Sequence, residues 1–227
     1  MTEHPKGLYR YLREPVNSLT HFAGILLSIA GLVALIVLSA GEPWRTVSFA
    51  IYGGALVLLY TASTLLHALR VGAKSLRLLR IFDHTAIFVL IAGSYTPIAL
   101  VTLQQGRPVW GWLVFGFAWG IALLGVMFKL FWLEAPRWLS TGLYLLMGWL
   151  ALVAIVPIVQ TLPLGGLYWL VAGGLFYSVG AVVYGLKKPD WFPGVLGYHE
   201  LWHLFVLAGS ACHFMMMLLY VLPTPPV

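Results

Sequence analysis

The chain has 227 residues, of which 61% are hydrophobic and 9% charged, and its formal net charge is +6. An ordinary soluble domain carries about 25% charged residues, so the composition excludes a soluble fold and reads as an integral membrane protein. The positive charge is scattered over an apolar chain with no basic stripe and no RNA-binding motif, which points to membrane topology and away from a nucleic-acid partner. The single cysteine, Cys212, excludes an intramolecular disulfide and lies in an apolar run, where it reads as packing.

The chain opens on a polar stretch, MTEHPKGLYRYLREPVNS. The apolar segment that follows is longer than a signal-peptide core and no small-residue cleavage site accompanies it, so residues 1–17 are expected to be a retained cytoplasmic arm. A span needs about 20 apolar residues. Turn signals divide the remainder into seven such stretches, near 18–40, 46–68, 81–103, 109–131, 138–158, 165–186 and 196–221. The breaks are GEPWR, LRVGAKSLRLLR, QQGRP, LEAPRW, QTLPLGG and KKPDWFPG, each with Pro, Gly or clustered charge. The expected architecture is all-α: one seven-helix transmembrane domain over 18–221, then a short extracytoplasmic tail, 222–227. No polar stretch is long enough for a soluble catalytic or sensory domain, which confines function to the bilayer and its surface.

Lys and Arg divide unevenly between the two sides of such a bundle. Lys6, Arg10, Arg13, Arg70, Lys74, Arg77, Arg80, Lys129, Arg137, Lys187 and Lys188 fall on one side, and only Arg45 and Arg107 on the other. By the positive-inside rule the N-terminus is cytoplasmic and, after seven spans, the C-terminus is outside, opposite to a G-protein-coupled receptor. In the sixth stretch, small residues four apart, Gly174 with Ser178 and Ala181 with Gly185, are expected to let a neighbouring helix approach closely.

Ionisable groups at membrane depth cost roughly 2.5 to 3.5 kcal/mol each on insertion scales, so the polar residues inside the spans carry the functional information. The second span ends in TASTLLHALR, with Ser63 and His67 four apart; the third begins IFDHTAIF, with Asp83 and His84 at the same depth. The seventh begins YHELWHLF, with His199 and His203 four apart and therefore on one face. Three helices thus bring His, Asp and Ser side chains to one level, the inner leaflet. For any single histidine, a side chain satisfied by a carbonyl or water is the simpler reading. The whole set in so apolar a chain favours a site.

Two histidines at i and i+4 can converge on one metal ion, and a third from another helix leaves the fourth tetrahedral position to water, as in catalytic zinc sites. Three imidazoles favour zinc among the divalent candidates. The string His199-Glu200-x-x-His203 also fits the metalloprotease pattern H-E-x-x-H. No separate Asp-Gly motif accompanies it, since Asp190 is followed by Trp191, and Glu200 reads instead as an acid at the interface or behind a ligand. His213 lies ten residues beyond His203, about 15 Å deeper, and cannot share the same ion along a regular helix. Tyr95, Thr96 and Pro97 fall mid-span, where Pro frees a carbonyl and predicts a kink.

EPVNSLTH, STLLH, FDHTAIFVLIAGSYTP and HELWHLFVLAGSACHF together resemble the hemolysin III proteins, bacterial relatives of the adiponectin and progestin receptors, over essentially the whole chain. The resemblance implies zinc held by His67, His199 and His203, Asp83 beside the water that completes the tetrahedron, and Ser63 in support. With the alkaline ceramidases, which share this pattern, it further implies hydrolysis of amide bonds in lipids. Glu14, Asn17, Ser18 and His21 belong to the bacterial pattern; they are expected to cap the first helix or line the cytoplasmic entrance. Specific roles for His84 and His213 stay open.

The leading expectation is a zinc-dependent lipid amide hydrolase of the bacterial inner membrane, working at the inner leaflet. Asp83 would orient water and accept its proton, and Ser63 would hydrogen-bond the developing oxyanion or a ligand. The expected partner is a membrane lipid; no obligate protein partner is evident. The rivals are a non-enzymatic sensor or structural zinc protein, a cytolysin, and an intramembrane metalloprotease.

Overall fold

The computed structural model describes residues 7–192 and 195–225. Residues 1–6 of the arm, including Lys6, residues 193–194 of the last break and the final two residues of the tail lie outside the described residues. The regular elements are helices: α1 (Pro15–Leu38), α2 (Pro43–Ala68), α3 (Ala73–Pro97), α4 (Pro108–Phe131), α5 (Arg137–Gly148), α6 (Ile155–Thr161), α7 (Leu164–Leu186) and α8 (Tyr198–Met216). Proline opens α1, α2 and α4, where its fixed φ suits a helix start and its missing N–H forfeits no bond. Gly41 turns the chain between α1 and α2 at φ +94, a left-handed geometry that glycine adopts freely.

Six helical segments are long and apolar enough to cross a membrane, and the bent pair of α5 and α6 makes a seventh. The chain is an all-α polytopic membrane protein. Its fifth stretch departs from the single helix expected over 138–158, being bent by 55° between Arg137–Leu152 and Ile155–Thr161. Pro157 explains the break, since it offers no N–H to the carbonyl of Val153 and its ring crowds that oxygen. Tyr95 of α3 fills the gap: its hydroxyl donates to the carbonyl of Gly148 at 2.5 Å and accepts from the N–H of Ala151 at 2.9 Å. Irregular backbone survives at membrane depth where protein groups satisfy it in this way.

The third span also begins earlier than expected, at Ala73 and not near 81. Lys74, Arg77 and Arg80 extend the helix out of the apolar zone because Lys and Arg are good helix formers with stems that reach water. Beyond Pro97 the chain does not break but continues as a π-turn over Ile98–Thr102, the wider turn accommodating the lost hydrogen bond. This long helix is the most buried span and packs between α2 and α4; α1 packs on α2 and α8, α7 lies along α8, and α5 bridges α3 and α7.

The close approach of α7 to α8 uses a different glycine set from the expected one. Gly174 and Gly185 face open space, whereas a Cβ on Gly173 would meet Cδ2 of His213 at 2.3 Å and one on Gly180 would meet Cβ of Phe205 at 2.6 Å. Gly173 and Gly180, seven residues apart, form the stripe against α8, and Gly166, a further seven back, packs against Leu162 and Tyr220. Both stripes exist in the sequence, and only the position of α8 selects between them.

Candidate functional site

His67 comes from the last turn of α2, and His199 and His203 from the first two turns of α8. Their ring centroids form a near-equilateral triangle, 5.0 Å from His67 to His199, 4.8 Å from His67 to His203 and 5.0 Å between His199 and His203. One ring nitrogen from each lies within 4.8 Å of the other two, so the triad could hold a metal ion. Tetrahedral ligation with bonds of 2.0 to 2.1 Å places ligand nitrogens about 3.4 Å apart, so small ring rotations close the difference. His67 and His203 are buried and Nδ1 of His203 has no hydrogen-bond partner, an orphan of the kind a cation satisfies.

The arm fixes the geometry of this cluster. The backbone N–H groups of Arg13 and Glu14 donate to the carbonyls of Ala68 and His67 at 3.1 and 2.9 Å, satisfying orphaned acceptors at the end of α2. Nδ1 of His67 then donates to the Glu14 carboxylate at 2.5 Å, leaving Nε2 as the nitrogen free to ligate. A carboxylate behind a ligating imidazole sets its tautomer and raises its basicity. Burial alone would raise the Glu14 pKa, but the hydrogen bond and charge of His67, with Arg13 and Asn17, hold it down at about 2.

Asn17 joins the arm end of α1 to α8. Its amide donates to Oε1 of Glu200 at 2.9 Å and to Oε2 of Glu14 at 3.3 Å, while Oε2 of Glu200 accepts from the N–H of Gly197 at 2.9 Å. Both oxygens of Glu200 are therefore engaged in holding the start of α8, which argues against it as the base of a metalloprotease. His21 stacks on His203 with centroids 3.7 Å apart and planes 18° apart. Glu14 precedes α1 without a side-chain cap bond; its side chain bonds His67 and, with Asn17 and His21, lines the cavity, which fits the expected lining role and not the expected cap.

Asp83, on α3, lies within side-chain hydrogen-bond reach of Ser63. All five residues singled out by sequence pattern, together with His84, line one cavity of about 930 Å³. Its polar end is the histidine cluster; its depth is apolar, bounded by residues such as Leu90, Ile91, Ile98 and Val206. That volume is at the upper end for small-molecule sites and has room for an acyl chain. His213 also lines it, edge-on to Tyr177 at 5.4 Å. Tyr177 and Tyr60 both hydrogen-bond Oγ of Ser210, at 2.9 and 2.7 Å, tying α2, α7 and α8 together beneath the cluster.

Sequence reasoning missed the service of Glu14 to His67 and of Asn17 to Glu200, contacts across 53 and 183 residues. The available signal was an acid and an amide just ahead of an apolar helix, at the level where the histidines were already expected. Lys129 was counted only for topology, yet it is buried and bonds Ser140.

Fold and site together define a polytopic helical membrane protein with a buried histidine triad at one end of an intramembrane cavity. The family model "Haemolysin-III related" matches residues 9–214. The chain is 41% identical over 227 residues to "Hemolysin-3" of Bacillus cereus, covering 99% of both chains. It is 41% identical to the "Hemolysin-3 homolog" of Bacillus subtilis (strain 168), over 96% of this chain and 99% of that one. A more distant match is the "Adiponectin receptor protein" of Drosophila melanogaster, 26% identical over 92% of this chain and 51% of that one. The chain belongs to the haemolysin-III-related family.

Proposed function

We propose that the protein is a zinc-dependent hydrolase of lipid amide bonds in the bacterial cytoplasmic membrane, its arm and histidine triad at the cytoplasmic face. The observation that carries this reading is a buried three-histidine cluster opening onto a largely apolar cavity of about 930 Å³. His67, His199 and His203 would hold the ion. Zinc at such a site supplies Lewis acidity, polarising a carbonyl and lowering the pKa of water from 15.7 to about 7.

Asp83 would orient a water molecule against the scissile carbonyl and take its proton. Ser63, within reach of the Asp83 carboxylate, fixes that group in place. As oxygen adds to the carbonyl carbon and the C–N bond breaks, Asp83 returns the proton to the leaving nitrogen, releasing a fatty acid and an amine. The apolar helices around Leu90 and Ile98 hold the acyl chain and exclude bulk water. A structural zinc site would call for a fourth protein ligand; the grouping here has three.

Two measurements test this. Purified protein in mixed micelles with a long-chain N-acyl lipid is expected to release fatty acid, to stop when chelated and to resume when zinc is restored. A metal-loaded protein that releases none from a panel of acyl amides sinks the hydrolase reading. Glu14→Gln removes the charge behind His67 and is expected to weaken zinc binding about 10- to 100-fold, measured by competition with a chromogenic chelator. Unchanged affinity would remove Glu14 from the site.

A further inference from the structure

Two of the cations that line the cavity, Lys129 and Arg137, form no ion pair with a carboxylate among the described residues. Lys129, in the last turn of α4, is 1% exposed. Its Nζ donates to Oγ of Ser140 at 2.5 Å and lies 5.3 Å from the ring centroid of Phe128. No carboxylate pairs with it among the described residues. An ammonium has three donors, so the hydroxyl leaves most of its capacity unused. Lysines that merely report topology stretch outward so that the charge reaches water; this one turns inward onto the cavity.

Arg137, which opens α5, lines the same cavity. Its guanidinium stacks over Tyr184 at 4.6 Å and lies 5.6 Å from the Tyr198 ring, and it donates to the carbonyl of Tyr184 at 3.3 Å. Tyr184 in turn abuts His199, with centroids 5.5 Å apart. Arg137 is therefore held one aromatic ring from the histidine cluster, and among the described residues no carboxylate pairs with it. Of the acids that line the cavity, Glu134 is exposed and pairs with Arg80 at 3.7 Å, Glu14 holds Arg13 and His67, Glu200 is held by Asn17 and the N–H of Gly197, and Asp83 lies beside Ser63, while Asp190 pairs with neither cation. Buried charges are ordinarily paired.

We propose that Lys129 and Arg137 form a subsite for the phosphate group of a single-chain amphiphile whose acyl tail occupies the apolar depth of the cavity. A guanidinium fork with a point-charge ammonium suits a phosphate's several oxygens. The subsite deepens the lipid-hydrolase reading by naming the headgroup class and rests on it only for turnover. Binding is therefore read without turnover, with metal content measured on the same samples so that failure of either idea is seen separately.

The test compares a fluorescent acyl-glycerol phosphate with the matching monoacylglycerol, both titrated into the full-length protein in maltoside micelles. Wild type is expected to bind the phosphate form at least about tenfold more tightly. Lys129→Met combined with Arg137→Gln is expected to abolish that preference while monoacylglycerol binding persists, which also reports an intact fold. Where the double variant fails to bind the neutral lipid, the partly exposed Arg137→Gln alone decides, and a reduced preference is the expected result. Equal affinities in wild type, or a preference untouched by the substitutions, would overturn the subsite. Displacement of the probe by equimolar inorganic phosphate would overturn its assignment to an amphiphile.

Discussion

Asp83→Asn is expected to keep its metal and lose about 10²- to 10⁴-fold in turnover, the range that a positioned acid–base group contributes. The substitution keeps the shape of the side chain and a hydrogen bond to Ser63 but removes the basic oxygen that takes a proton from water. Asp83 stands on α3, a different helix from those that carry the three histidines, so the triad keeps its three ligands. Metal content and fatty-acid release measured on one preparation separate the two properties. Turnover at the wild-type rate in a metal-replete Asp83→Asn protein would remove Asp83 from the chemistry. Loss of metal along with activity would make it a structural support of the triad.

The part of this site that lay open in the sequence is the part built on local periodicity. Ser63 with His67, and His199 with His203, are four residues apart on helices, so their convergence on one face follows from the helical repeat. Asp83 joins them because a hydrophobic span fixes depth, and depth brings residues from separate helices to one level. Faces between helices were less legible. Gly173 and Gly174 are equally small, and only the docking of α8 makes the first a contact and the second open space.

Glu14 shows the same limit from another side. Its role depends on the arm folding back to pair its backbone with the end of α2, a contact that no local pattern announces. The bend in the fifth span was signalled by Pro157, but its stabiliser, the hydroxyl of Tyr95, comes from another helix. The Ser63 hydroxyl, read from the sequence as a donor to the oxyanion or a ligand, lies beside Asp83 in the fold, and the proposed mechanism gives it that carboxylate to orient. Lys129 counted only as one more positive charge until its burial against Ser140 was seen.

The histidine triad itself carries the largest expected effect, because three imidazoles supply every protein ligand proposed. Replacing His67, His199 and His203 together with Ala leaves the helices their apolar faces, so the bundle is expected to insert and fold while losing the ion outright. The most direct measurement is elemental mass spectrometry on detergent-purified wild type and this triple variant. About one zinc per chain in wild type and none in the variant is the expected result. Wild type purified without chelators and free of zinc, or a triple variant that retains it, would contradict a metal centre at these residues and leave the three rings as a hydrogen-bonded polar cluster.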